Sequence, residues 1–198
     1  MASLKTRILQ LISTMPEGTV LNPKALLHLG NRAAVDQSLS RLARSGNLMR
    51  VCQGVYVPPV KTRFGTRPPE IGKTIETLSK MWSETIVPSG GSMANALGLT
   101  TQIPIRQVYL TSGPSRNLKF GEMSVELVHA PKWQLVSPNR LSGDVVRALA
   151  WMGPQEVEHC LSKARSRLTQ EDIDELAEAR AIVPEWIAKP VSEMISVG

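Results

Sequence analysis

The sequence predicts an α+β protein in two parts, an N-terminal winged helix-turn-helix and a C-terminal mixed domain with a small sheet and several helices. Three observations predict it. Residues 31–56, NRAAVDQSLSRLARSGNLMRVCQGVY, read as an amphipathic helix followed directly by two short β-rich runs. Beyond residue 70, helical spacing gives way to alternating, β-branched segments and then returns to helical spacing. Positive charge is also unevenly placed: residues 1–67 hold ten Lys or Arg against two acids, a net +8, while the other 131 residues carry −2. A cationic segment coinciding with such a helix is the footprint of a protein that displaces counterions from a phosphate backbone.

Taken in order, Leu4, Ile8, Leu11 and Ile12 fall on one face of a first helix that ends before Pro16-Glu17-Gly18. Asn22-Pro23 supplies an N-cap and a proline at the first helical position, opening a short helix through Leu29, with Gly30-Asn31 as the turn. The third helix carries Val35, Leu39, Leu42 and Ala43 on its apolar stripe. Its opposite face holds Arg32, Asp36, Gln37, Ser40, Arg41 and Arg44, guanidinium groups mixed with side chains that can hydrogen-bond base edges in a major groove. Gly46 suits the left-handed conformation just past a helix end. Leu48–Val51 and Val55–Val57 then read as strands joined through Gln53-Gly54. A short helix, a turn and a longer polar-faced helix are the helix-turn-helix order, and the hairpin is its wing.

Residues 1–60 therefore form the expected DNA-binding domain. Residues 61–69, with prolines and Lys61, Arg63 and Arg67, read as a semi-rigid basic linker, and residues 70–198 as the second domain. There, Ile71, Ile75, Leu78 and Trp82 mark a helix, and Ile86–Pro88 a short buried strand. The phrase SGGSMANALGLTTQIP follows, in which Ser89 or Ser92 is expected to cap a short helix. The Ser89–Asn95 loop also admits a phosphate-cradle reading, although it lacks the following Lys-Ser/Thr of nucleotide loops. Arg106–Thr111 and Ser124–His129 read as strands that pair in a small sheet, with Ser112-Gly113-Pro114 as a turn. Val145, Val146, Leu149 and Met152 mark a helix ended by Gly153-Pro154, and a further helix runs toward Arg167. Thr169-Gln-Glu-Asp172 has the spacing of a capping box, and Trp186 and Ile187 anchor the tail.

Composition excludes several classes. With 42% hydrophobic residues the chain can bury a core without staples, and Cys52 and Cys160 are too few and too far apart for a disulfide framework or zinc site. No apolar run reaches membrane-spanning length, and the N-terminal stretch lacks the features of a signal peptide, so a soluble, cytoplasmic protein is expected. His28, His129 and His159 are scattered, and Cys160 beside His159 has no third orienting group. No enzyme, cofactor or metal is expected.

The function expected from the residues is sequence-specific binding of double-stranded operator DNA. Gln37 suits adenine and Arg41 guanine. Arg32, Ser40, Arg44, Arg50, Lys61 and Arg63 are phosphate contacts, and Asp36, Gln53 and Tyr56 complete the candidate surface of helix and wing. Two alternatives remain open: a protein-interaction module that uses the winged helix as a docking surface, and a regulator that senses a ligand at the Ser89–Asn95 loop.

The phrases SRLARSGNLMRVCQGVYVPP, SGGSMANALGLTTQIP, RQVYLTSGPSR, ALAWMG and PEWI together resemble the AbiEi-type antitoxins of bacterial abortive-infection toxin–antitoxin systems, over almost the whole chain. The resemblance implies a DNA-binding head that represses its own operon and a C-terminal domain that counters a nucleotidyltransferase-like toxin without a stable complex. It places the DNA-reading helix on Arg32 to Arg44 and the wing on Arg50 to Tyr56, with no catalytic residues to carry over. A monomer or weak dimer, cooperative on DNA, is expected.

Overall fold

Why the chain divides where it does follows from which apolar stripes find one another. A computed structural model of the protein describes residues 3–102 and 105–196. It is a mixed α/β fold of two compact units, Met1–Glu84 with Asn117–Val125, and Thr85–Arg116 with Glu126–Gly198. Ile103 and Pro104, which close the SGGSMANALGLTTQIP phrase, lie outside the described residues.

In the first unit, helix α1 (Leu4–Ser13) begins at Ser3, whose hydroxyl accepts the Thr6 N–H at 3.2 Å. The segment expected as a second helix is instead one 3-10 turn, Pro23–Leu26, capped by the Asn22 side chain on Ala25 N at 2.8 Å. Only Leu26 and Pro23 of that segment are buried, too little apolar surface to sustain a longer helix. Helix α2 (Arg32–Arg44) follows, then strands β1 (Met49–Cys52) and β2 (Val55–Val57), paired antiparallel. Ile8, Leu21, Leu26, Val35, Leu39, Leu42, Leu48 and Tyr56 form the core of this unit.

Residues 60–67, expected as an extended linker, form a second hairpin of β3 (Val60–Thr62) and β4 (Gly65–Arg67). Helix α3 (Ile71–Trp82), assigned from sequence to the second domain, belongs to the first unit. Close approach explains this. A Cβ on Gly18, at φ +86°, would lie 2.7 Å from the Lys73 Cβ, so the turn after α1 abuts α3 directly. Glu17 in the same turn accepts the Glu70 N–H at 2.9 Å and pairs with Arg67. The two prolines at 68 and 69 lie between β4 and α3, inside this unit.

The second unit contains β5 (Ile86–Pro88), α4 (Gly90–Ala96), β6 (Gln107–Thr111), α5 (Leu141–Met152), α6 (Val157–Arg165), α7 (Gln170–Ala179) and α8 (Glu185–Ser196). The four-stranded sheet runs in the order β5-β6-β8-β7, with β7 spanning Arg116–Phe120 and β8 Met123–His129; of these two strands, the part within Asn117–Val125 belongs to the first unit. β7 was not expected from sequence: only Leu118 and Phe120 of RNLKF are buried, and its polar residues hide a short alternation.

Ser89 stands at the N-cap of α4, but contrary to expectation neither its hydroxyl nor that of Ser92 makes a capping hydrogen bond; the two hydroxyls lie 3.4 Å apart. Gly90 and Gly91 serve packing instead. A Cβ on Gly90 would overlap the Arg147 carbonyl oxygen and approach the Trp151 Cβ to 2.8 Å, so glycine lets α4 lie against the backbone of α5. The helical core comprises Val145, Val146, Leu149, Leu161, Leu176 and Ile187 with their neighbours, and Trp186 packs at its edge. At α7 the capping box is complete: Thr169 accepts the Asp172 N–H, and Asp172 accepts the Thr169 N–H at 3.0 Å.

Gly90→Ala is expected to destabilise the protein by about 1–3 kcal/mol through overpacking against a backbone atom that cannot yield. Thr169→Ala, which removes one arm of the capping box, costs about 1 kcal/mol. Denaturant unfolding of both variants measures the difference, and an unchanged midpoint for Gly90→Ala would refute the packing role.

Candidate nucleic-acid interface

Helix α2 is built to expose one face. Asn31 caps it through Oδ1 on the Ala34 N–H at 2.9 Å, and Gly46, at φ +72°, lets the chain turn back. The Asn47 N–H then reaches the Leu42 carbonyl at 2.9 Å. With Val35, Leu39 and Leu42 each fully buried, the 3.6-residue period sends Gln37, Arg41 and Arg44 to solvent and leaves Asp36 and Ser40 half-buried.

The polar face has two electrostatic characters. Near the N-terminus, Arg32 Nε meets Asp36 Oδ2 at 2.8 Å, so that guanidinium is partly neutralised. Toward the C-terminus, Gln37, Arg41 and Arg44 engage no side chain among the described residues and keep their donors for solvent or a ligand. Both arginines lie in the last turn, where they also complement the helix dipole.

The β1–β2 hairpin is pinned from outside as well as within. The Tyr56 N–H donates to the Leu21 carbonyl at 2.9 Å, and the Leu21 N–H to the Tyr56 carbonyl at 2.8 Å. At the turn, Gly54 alone takes a positive φ, +70°, and the register shifts between Arg50 and Cys52. Arg50 and Gln53 are exposed. Tyr56, a candidate contact from sequence, is corrected: its ring is 5% exposed and belongs to the core, because alternation along a three-residue strand is overridden by burial of all of Val55, Tyr56 and Val57.

Lys61 and Arg63 are exposed on the second hairpin, as is Phe64 at its tip, which sequence reasoning missed. The turn glycine after it, Gly65, was the available signal, since a hairpin tip keeps its aromatic out of any core. Arg67 is spent on Glu17, with Nη1 2.9 Å from Oε1. Those hydrogen bonds, first from Arg67 and then from the Glu70 N–H, hold the Glu17 carboxyl below the usual carboxylate range.

In the second unit, the Ser89–Asn95 region borders a depression of about 470 Å³ lined by Ser89, Gly90, Gly91, Arg106, Arg147 and Trp151, among others. Arg147 is fully buried and clamps its own unit: Nη2 lies 2.5 Å from Asp144 Oδ1 and Nη1 donates to the Val136 carbonyl at 3.2 Å. Burial pushes its pKa down and Asp144 opposes that shift. Cys160 is buried, and desolvation raises its thiol pKa, the opposite of an activated nucleophile. No group of three His, Cys, Asp or Glu that could hold a metal occurs among the described residues.

The fold and this surface define a mixed α/β protein of two units, the first of which exposes Arg32, Arg41, Arg44, Arg50, Lys61, Arg63 and Arg67 on one helix and two hairpins. The chain belongs to DUF6088, a family of unknown function whose model matches residues 7–176. No curated protein matches it.

Tyr56→Ala is expected to cost about 3–5 kcal/mol of stability, as for other buried aromatics, whereas the exposed Gln53→Ala leaves unfolding unchanged. Thermal and denaturant melts separate the two. For Glu17, a depressed pKa means its clamp on the hairpin base is present above the ordinary carboxylate range and is lost as pH falls through the lowered value. The Glu70 amide signal, followed by NMR on acidification, should titrate below the midpoint of an unpaired glutamate, and Arg67→Ala should raise that midpoint.

Proposed function

We propose that the chain is a sequence-specific DNA-binding repressor whose N-terminal unit is a winged helix-turn-helix. In this reading α1, the 3-10 turn and α2 make the helical part, α2 enters the major groove, and β1–β2 is the wing. The supporting observation is the outer face of α2, where Gln37 and Arg41 stand one turn apart, exposed and without intramolecular partners among the described residues. Arg41 reads guanine bidentately and Gln37 adenine. Arg44, Arg50, Lys61 and Arg63 contact phosphates and set register, with Arg32 and Ser40 at the margin. Neutralisation of phosphates by these cations releases counterions, which makes binding salt-dependent.

The likeness to AbiEi-type antitoxins extends this reading to a cytoplasmic autorepressor and antitoxin. Its operon partner is then a nucleotidyltransferase-like toxin, which the second unit counters without a stable complex. No helix among the described residues is long and apolar enough to cross a membrane.

Duplexes selected by the full chain from random-sequence DNA, and the region upstream of its own gene, provide the probes. Arg41→Ala is expected to weaken specific binding by about 1–3 kcal/mol and relax one base position, while Lys61→Ala weakens all sequences alike and flattens the salt slope by about one. Unchanged binding by Arg41→Ala in gel-shift titrations across salt concentrations rejects the helix assignment. For the antitoxin role, co-expression with the neighbouring gene is expected to restore growth.

A further inference from the structure

The β3–β4 hairpin pairs Val60 with Arg67, Lys61 with Thr66 and Thr62 with Gly65, which leaves Arg63 and Phe64 as a two-residue tip. The tip closes on itself: the Thr62 hydroxyl donates to the Gly65 carbonyl at 2.9 Å and accepts the Phe64 N–H at 3.2 Å. A free-standing two-stranded hairpin is marginal in water, so its base must be held from outside. Glu17 does this through Arg67 and the Glu70 N–H, both at 2.9 Å. Val60, Lys61 and Thr66 border a depression of about 530 Å³ that they share with Gly46 and Asn47, the residues just past α2. The base therefore lies beside the helix end that carries Arg41 and Arg44.

At the other end, Phe64 is 86% exposed, with the Arg63 guanidinium over its ring, 4.6 Å from the centroid. The hairpin holds Lys61, Arg63 and Arg67 and no acid. A rigidly based ribbon that ends in an unburied aromatic ring and a cation is suited to a narrow, negatively charged groove. Phe64 is the one large apolar side chain among residues 63–67, so the tip carries no contiguous apolar patch of the kind that marks many protein-interaction surfaces.

We propose that this hairpin is a second DNA-contacting element, whose tip enters the minor groove and lodges Phe64 against a base step with Arg63 beside it. The inference rests on the DNA-binding reading above, adds a second groove to it, and moves Arg63 from the phosphates into that groove while Lys61 stays on the backbone. Apolar side chains wedge between base steps from the minor groove, and arginine favours that groove where it is narrow, as in A·T tracts. Sequence preference beside the α2 site then follows minor-groove width and the absence of the guanine amino group.

The test uses the full chain and the selected duplex. Phe64→Ala is expected to weaken binding about tenfold, as for a lost aromatic–base stack, with circular dichroism and melting unchanged and Phe64→Trp restoring affinity. Inosine·cytosine pairs in the flank, which keep the minor-groove pattern of A·T, should bind like A·T, whereas G·C pairs bind more weakly. 2-Aminopurine at the contacted step should brighten on binding wild type and not Phe64→Ala. If the wild type binds no duplex, the DNA-binding reading itself falls. If Arg41→Ala loses affinity while Phe64→Ala binds like wild type, or inosine·cytosine and G·C flanks behave alike, the hairpin inference alone is overturned. Loss by Phe64→Ala of binding to anionic vesicles, with DNA affinity intact, also overturns it and assigns the tip to a lipid surface.

Discussion

Burial of Val35, Leu39 and Leu42 against Ile8, Leu21, Leu26, Leu48 and Tyr56 is the constraint on which the first unit depends. Each of these side chains contributes roughly 1.5–3 kcal/mol on leaving water, enough together to fix the rotation of α2 about its axis. A turn of about 100°, one residue of helical phase, would carry either the Arg41 guanidinium or the Asp36 carboxylate toward the core and strip its hydration. The exposed position of Gln37 and Arg41 is thus a consequence of what the opposite face buries. The polar face has no need to organise itself.

The charges on this unit are not equivalent, and their pairing sorts them. Arg32 is tied to Asp36 and Arg67 to Glu17, whereas Arg41, Arg44, Arg50 and Lys61 have no such partner among the described residues. Exposed ion pairs add little stability. Their effect here is on which of these arginines keep their charge free: Arg41 and Arg44 in the last turn of α2, and Arg50 on the first hairpin. Glu17 has a second role because one carboxylate joins the turn after α1, the base of β4 and the start of α3. That junction converts a proline-rich passage into a braced hairpin.

In the second unit the organising feature is close backbone contact. Two adjacent glycines bring α4 against α5, and the buried Arg147 fastens α5 to the carbonyls of Gln134 and Val136. The Ser-Gly-Gly run thereby has a packing explanation that needs no phosphate. Its hydroxyls leave the first turn of α4 without side-chain caps. The same positions that resemble a ligand loop in one dimension are, in three, the seam between two helices.

The local devices were legible from sequence alone: the apolar stripes of α1, α2, α3 and α5, the Asn22 cap, the β1–β2 turn and the Thr169 capping box, whereas the Asn31 cap of α2, read from sequence as part of a turn, was not. These depend on neighbours within about one helical turn, so their causes are written contiguously in the chain. The candidate surface was legible to the same extent, since exposure on α2 follows from its period. Only the tertiary structure decided that Tyr56 is core, that residues 60–67 form a hairpin presenting Phe64, that α3 joins the first unit and that Gly90 is a packing residue. The hairpin's own pairing is local, but its brace and the other three features turn on contacts between residues distant in sequence, such as Tyr56 with Leu21, Glu17 with Glu70, or Gly90 with Arg147. Local propensity carries no record of which distant backbone will arrive.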